Sequence, residues 1–260
     1  TASATARLAD GRLELWLASQ APELAREAAA RAVGLNVEDV VLYPMPAGGS
    51  FDRRLEHDHA IEVALIAREV GRPVQLVWSR WQESLAGRPR APAKALLSAR
   101  TTADGGIASW RARIATPPTM RELGARLFDG ATPSAAIAMT EEEADALALA
   151  GAMPFYAIPD VAVDHVPVNV RLPTGRVRGG GDGVTAFMTE SFIDELAARA
   201  RREPLGYRIA MLGDDPRMVA CLQLAARLAQ WDAGADQSGQ GLACHQMRFG
   251  AAEGRIACIA

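Results

Sequence analysis

The chain has 260 residues, 49% hydrophobic and 23% charged, with a net charge of −3. That length buries a sizeable core in one large domain or two small ones, and the composition is ordinary for a globular protein. The weak acidic balance gives no reason to expect nucleic acid as a partner, and no apolar run is long enough for a membrane span.

In chain order, residues 12–19 predict a strand, and Pro22 opens a helix that Gly34 ends. Val40-Val41-Leu42-Tyr43 is a short strand leading into a glycine turn, Gly48-Gly49-Ser50-Phe51-Asp52-Arg53-Arg54. His59 to Val70 has helical periodicity and stops at Gly71, and 73–79 predicts a buried strand. Residues 94–102 and 107–115 alternate around Ala103-Asp104-Gly105-Gly106, a β-hairpin signal. Residues 117–140, rich in Pro, Gly and Thr, are expected to be irregular; Thr140-Glu141-Glu142-Glu143 then has the form of a capping box opening a helix to about Leu149.

Ile158 to Val170 alternates as a strand and leads to a second glycine turn, Arg178-Gly179-Gly180-Gly181-Asp182-Gly183. A helix from Ala186 to Arg201, a short one from Pro204 and a third capped by Asp215-Pro216 follow. Residues 232–240 read as a polar linker and 241–248 as a strand. The last residues, 255–260, read as a strand cut short; with Thr1 at the start, both ends are expected to be cuts within a longer protein. An open edge there is expected to favour dimerisation or aggregation. The fold class expected is α+β, mixed sheets with flanking helices, divided as 1–150, holding the hairpin, and 151–260, holding the second turn.

Three residue patterns bear on chemistry. Each glycine turn joins a strand to a helix, where freed backbone N–H groups and nearby arginines suit an anion. Neither turn is followed by Gly-Lys-Ser/Thr, which disfavours a nucleotide P-loop, and the second lacks the dinucleotide spacing. His57-Asp58-His59 invites a metal reading, but on a helix i and i+2 diverge, so a solvated helix start is expected and no metal site is assigned. Glu141, Glu142 and Glu143 read as a solvated helix N-terminus, and the five tryptophans as packing residues. Ser50 and Ser191 show no His/Asp partners in sequence, and Cys221, Cys244 and Cys258 form no CxxC pair or iron–sulfur spacing.

In order, Ser19-Gln20-Ala21-Pro22, Gly48-Gly49-Ser50-Phe51, 71–80, 155–161, 173–178 and 187–197 resemble the molybdopterin-binding large subunit of the xanthine oxidase/aldehyde oxidoreductase family. The isoquinoline 1-oxidoreductase-like branch is the nearest likeness. The resemblance implies a molybdenum–molybdopterin cofactor and assigns contacts with it to Gln20, Gly48, Gly49, Phe51, Arg178 and Gly179. It implies hydroxylation of an N-heterocycle or an aldehyde, with a glutamate as general base and electrons leaving through iron–sulfur clusters elsewhere. The base's Gly-x-Gly-Glu-Pro segment does not occur here, so no catalytic residue is assigned; the base is expected beyond Ala260, and the chain alone is expected to be inactive. The partners implied are the remainder of the large subunit, a small iron–sulfur subunit and a small-molecule substrate. The location implied is bacterial and periplasmic, with the cytoplasm as the alternative. Asp52 stands where the family usually has glycine, and Asp182 where it has a small or neutral residue; Arg53 or Arg178 is expected to neutralise a carboxylate there. These two acids motivate a second reading, a non-catalytic binding or assembly module that has lost the cofactor.

Overall fold

The computed structural model describes residues 1–235 and 239–260. Its contacts group into two units, each assembled from three separate segments. The first comprises Thr1–Ala91, Pro117–Glu143 and Asn169–Arg178; the second Pro92–Thr116, Ala144–Val168 and Gly179–Ala260.

In the first unit, β1 (Ser3–Ala9), β2 (Arg12–Leu17), β3 (Val40–Pro44) and β4 (Val74–Val77) form one sheet in the order β3-β2-β1-β4. β1 pairs antiparallel with β2 and β4, whereas β2 and β3 run parallel. A parallel pair needs a crossover, and α1 (Pro22–Val33) supplies it. The inward residues of β2, Leu13, Leu15 and Leu17, share a core with Ala25 and Ala29 of α1. Val63, Ala64 and Ala67 of α2 (Asp58–Val70) complete it. Alanine on both helices allows a close approach to the sheet. Gly34 and Gly71 stop the helices as expected.

The sequence patterns do not predict β1 or α3 (Arg80–Ala86); α3 has a full capping box between Ser79 and Gln82. The strand expected to be buried at 73–79 is an edge strand, and Val77 is exposed. Trp81 on α3 is also exposed, so not every tryptophan packs.

The stretch expected to be irregular, 117–140, holds two helices, α4 (Thr119–Phe128) and α5 (Pro133–Thr140). Leu123 and Leu127 give α4 a buried face, and Thr132 caps α5 ahead of Pro133. No helix opens at Thr140. Its hydroxyl donates back to the Ala136 carbonyl at 2.9 Å, finishing α5 instead of capping a successor, and 141–151 form turns. The three glutamates are therefore not a helix N-terminus; Glu143 pairs with Arg121 at 2.7 Å.

In the second unit, β5 (Lys94–Thr101), β6 (Ile107–Thr116) and β7 (Asp160–Pro167) form a sheet. β5–β6 is the expected antiparallel hairpin, and β6–β7 is parallel. Trp110, Ala112 and Ile114 of β6 share a core with Ile193 and Ala197 of α6 (Asp182–Arg199). α7 (Pro204–Met211) adds Tyr207, and α8 (Pro216–Ala229) adds Met218 and Leu222. β8 (Leu242–Phe249) and β9 (Ala252–Ile259) form a separate two-stranded sheet, so the terminal segment expected as an open edge is paired along one side. Part of the expected linker, 236–238, lies outside the described residues. The fold is α+β with small mixed sheets, as the sequence predicts.

Candidate functional site

Three chain segments of the first unit converge around the first glycine turn. Gln20 lies in the link between β2 and α1, and its backbone N–H donates to the Arg54 carbonyl at 2.8 Å. The turn itself connects β3 to α2. Gly48 has φ +68, where a Cβ would meet only open space. A Cβ on Gly49 would lie 3.1 Å from the Phe51 ring, so this position stays small to let the ring fold over it. Arg178 completes the group: its N–H donates to the Phe51 carbonyl at 2.9 Å, and its guanidinium lies 5.2 Å from the ring centroid. Gly49, Phe51 and Arg178 share a cavity of about 550 Å³ with Arg53, Arg80 and Arg90. Glu83, the acid in its wall, is engaged by Arg54 at 3.1 Å. Gln20 sits beside this cavity rather than in its wall.

A buried polar cluster holds the 169–178 segment in place. Thr174 is fully buried, and its N–H and hydroxyl both donate to Glu122 of α4, at 3.2 and 3.0 Å. Arg126, one turn further along α4, donates to the Thr174 carbonyl at 2.9 Å and forks onto Glu56 with its shortest bond at 2.6 Å. Each buried charge thereby has an opposite charge and further hydrogen bonds, the condition under which buried ions are tolerated. Arg176 and Arg178 follow within four residues of this anchor. The sequence hid it because Pro117-Pro118 reads as loop, so the i,i+4 pair Glu122–Arg126 had no helix to sit on.

Neither of the two unusual acids is left unpaired, but their partners are not the expected Arg53 or Arg178. Asp52 accepts from Arg176 Nε at 2.8 Å and from Gln20 Nε2 at 3.2 Å. Burial acts to raise its pKa, and these hydrogen bonds with the Arg176 charge outweigh that, holding it below the usual carboxylate range. Asp182, in the second unit, faces His245 Nε2 at 2.9 Å at the start of α6. The second turn coils with φ +82 at Gly179, whose carbonyl accepts from the Asp182 N–H at 3.0 Å.

The histidines of His57-Asp58-His59 are buried, at 8% and 4% exposure, which corrects the solvated helix start. The residues flanking them explain the burial: Asp58 is forked by Arg88, and His59 Nε2 lies 3.1 Å from the Ala18 carbonyl. Burial holds both imidazole pKa values below the ordinary value. Among the described residues no group of three His, Cys, Asp or Glu is arranged to hold a metal ion.

The donor set suits an anionic, oxygen-rich group. It offers several guanidinium groups, backbone N–H groups in a turn that a Cβ would strain, and an aromatic face.

The chain matches the model of the molybdopterin cofactor-binding domain over residues 1–211. It is 27% identical over 240 residues to the beta subunit of isoquinoline 1-oxidoreductase from Brevundimonas diminuta, covering 90% of this chain and 29% of that one. It is 29% identical over 227 residues to one of the subunits of nicotinate dehydrogenase from Pseudomonas putida, covering 85% and 18%. Among solved structures, quinoline 2-oxidoreductase from Pseudomonas putida 86 superposes with a TM-score of 0.68 at 17% identity, over 95% of this chain and 33% of that one. Aldehyde oxidoreductase from Desulfovibrio gigas gives 0.65 at 22% identity, over 94% and 28%. The chain thus spans about a fifth to a third of the proteins it matches. No helix among the described residues is long and apolar enough to cross a membrane. With its match over 1–211 and this shared fold, the chain belongs to the molybdopterin cofactor-binding domain family.

Proposed function

We propose that these residues form part of the molybdenum-cofactor-binding subunit of an oxidoreductase that hydroxylates N-heterocycles or aldehydes. The observation that carries the reading is the convergence of Phe51, Arg178 and Gln20 around one turn beside an arginine-lined cavity. Gly48 and Gly49 supply backbone N–H groups, Phe51 an aromatic wall, Arg178 a cation and Gln20 a side-chain donor. When bound, the molybdenum–molybdopterin group supplies the two-electron redox chemistry of the hydroxylation. The chain's own part is to bind, orient and neutralise. The general base, an iron–sulfur subunit that takes the electrons, and the rest of the large subunit complete the assembly in this reading, and a periplasmic location goes with the family likeness.

The relatives' names, isoquinoline 1-oxidoreductase and nicotinate dehydrogenase, support an N-heterocycle as the substrate class. The pairing of Asp52 and Asp182 within their own units removes the motive for a module that has lost its cofactor.

The test is the molybdenum and pterin content of the intact protein carrying this chain, made in a host that synthesises the cofactor. Near-stoichiometric pterin is expected, with a large loss on Gly49→Val, which drives a side chain into Phe51. An intact protein free of pterin, or a Gly49→Val variant that keeps it while folded, overturns the reading. The isolated 260-residue chain is expected to show no turnover with an artificial electron acceptor.

A further inference from the structure

The Gln20 amide is held at both ends. A backbone N–H can only donate, so the atom 3.3 Å from the Arg54 N–H is the amide oxygen. A carboxylate can only accept, so the atom 3.2 Å from Asp52 Oδ1 is the amide nitrogen. The two contacts agree on one orientation. Arg176 binds the other carboxylate oxygen at 2.8 Å and fixes Asp52 in turn.

This arrangement has a backbone cost. Phe51 and Asp52 both have positive φ, 53 and 67, a region that side chains other than glycine enter at some strain. Aspartate tolerates it better than most, yet glycine would be the unstrained choice. A residue retained against that strain, with its whole carboxylate engaged, points to a role for the side chain itself.

We propose that Asp52 is a positioning residue for Gln20, locking its amide so that one Nε2–H remains as a fixed donor for the bound cofactor. The proposal rests on the reading of Gln20 as a cofactor contact. An amide nitrogen carries two hydrogens, of which Asp52 takes one. With the oxygen held by Arg54 and one N–H held by Asp52, the amide cannot rotate to present its oxygen in place of the second N–H. The bond that the amide oxygen accepts from the Arg54 N–H draws density from the nitrogen, which favours the remaining N–H as a donor. Arg176 completes the device by neutralising the carboxylate, so that the lock does not set a free negative charge beside an anionic ligand. Preorganisation of this kind spares a ligand the cost of ordering its partner.

The experiment has two arms. In the intact protein labelled with ¹⁵N-glutamine, the Gln20 side-chain amide pair is assigned by its disappearance in Gln20→Glu. A widely separated, slowly exchanging pair is expected, collapsing to the free-glutamine position in both Asp52→Asn and Asp52→Gly. Asp52→Gly relieves the strained backbone, so its thermal midpoint is expected to hold or rise while Gln20 is released, an outcome that a purely structural aspartate would not give. In the intact protein, both variants are expected to retain about tenfold less pterin, the equivalent of one charge-assisted hydrogen bond. An unchanged Gln20 signal in the variants, or more pterin in Asp52→Asn than in the parent, overturns the proposal. Absence of pterin from the unsubstituted protein would instead overturn the cofactor reading, and the amide signal would still decide whether Asp52 holds Gln20.

Discussion

Arg126→Met is expected to release the segment that carries Arg176 and Arg178. Methionine keeps most of the apolar stem and removes the charge and the fork. Arg126 is 4% exposed, so water cannot substitute for what is lost. Its Nε lies 3.1 and 3.2 Å from the two Glu56 oxygens, Nη2 makes bonds of 2.6 Å to Glu56 and 2.9 Å to the Thr174 carbonyl, and Nη1 lies 3.6 Å from Glu122. After the change, among the described residues, Glu56 keeps the more distant Arg88, at 3.7 Å, and Glu122 keeps the two Thr174 donors. Removing one member of a buried ion pair costs about 3–5 kcal/mol, roughly a fifth or more of a typical stability of about 5–15 kcal/mol. Urea denaturation gives the total, and hydrogen exchange followed by peptide mass spectrometry locates it. Peptides within 117–143 and 169–178 are expected to lose protection first. Arg126→Lys, which keeps a charge but not the fork, is expected to fall between, and Glu56→Gln added to Arg126→Met should recover part of the loss. A cost under about 1 kcal/mol in the single variant would refute the anchor as an energetic unit.

Three further outcomes are expected. Burial, with the Glu190 charge behind it, pushes the Cys244 thiol up to about 12, so alkylation at pH 8 should label the exposed Cys258 and spare Cys244 until the chain unfolds; rapid labelling of Cys244 in folded protein would contradict its placement. Burial keeps His57 and His59 below their ordinary pKa, so between about 6.5 and their folded values the unfolded chain binds more protons. Their contribution is therefore complete above pH 6.5 and lost as the solution is acidified; a His57→Asn, His59→Asn double variant should flatten the dependence of the urea midpoint between pH 7 and 5. Gly151 has φ +77, and a Cβ there would come within 2.7 Å of Asp182 and 2.8 Å of His245, so Gly151→Ala should cost about 1–3 kcal/mol by thermal or urea unfolding, with His245 shifted in the NMR spectrum; an unperturbed His245 would refute the contact.

Local signals in the sequence carried much of the fold. Where a helix announces itself by proline at one end and glycine at the other, as at Pro22 and Gly34, its limits were readable, and the alternation around 103–106 gave the hairpin. Thr140 shows why a local signal fails: one hydroxyl can cap the next helix or close the last, and only its buried position chose the second. At the candidate site, Gln20, Phe51 and Arg178 were legible through family likeness, whereas Arg176, Thr174, Glu122 and Arg126 were not. Their significance is relational, a set of contacts between residues about 50 to 125 positions apart, and no window of sequence displays it. Proline beside Thr119 argued for a loop and concealed the helix that sets Glu122 beside Arg126.

The interleaving of segments has a consequence for synthesis. A chain emerging from a ribosome offers its residues in order, and a domain can close only when its last segment is out. The sheet and the first two helices of the first unit lie within Thr1–Ala91, but Thr174 belongs to Asn169–Arg178. Until that stretch emerges, Glu122 and Arg126 have a helix to sit on and no Thr174 to bind. Within the same interval β5 and β6 are already out and β7 is added by Pro167, while α6 to α8 are still to come. For a time the nascent chain therefore carries a finished sheet, an open acid–base pair and a second sheet without its helices. Chaperones that shield apolar surface would find their substrate in this window, and a stall just after Pro167 would prolong it.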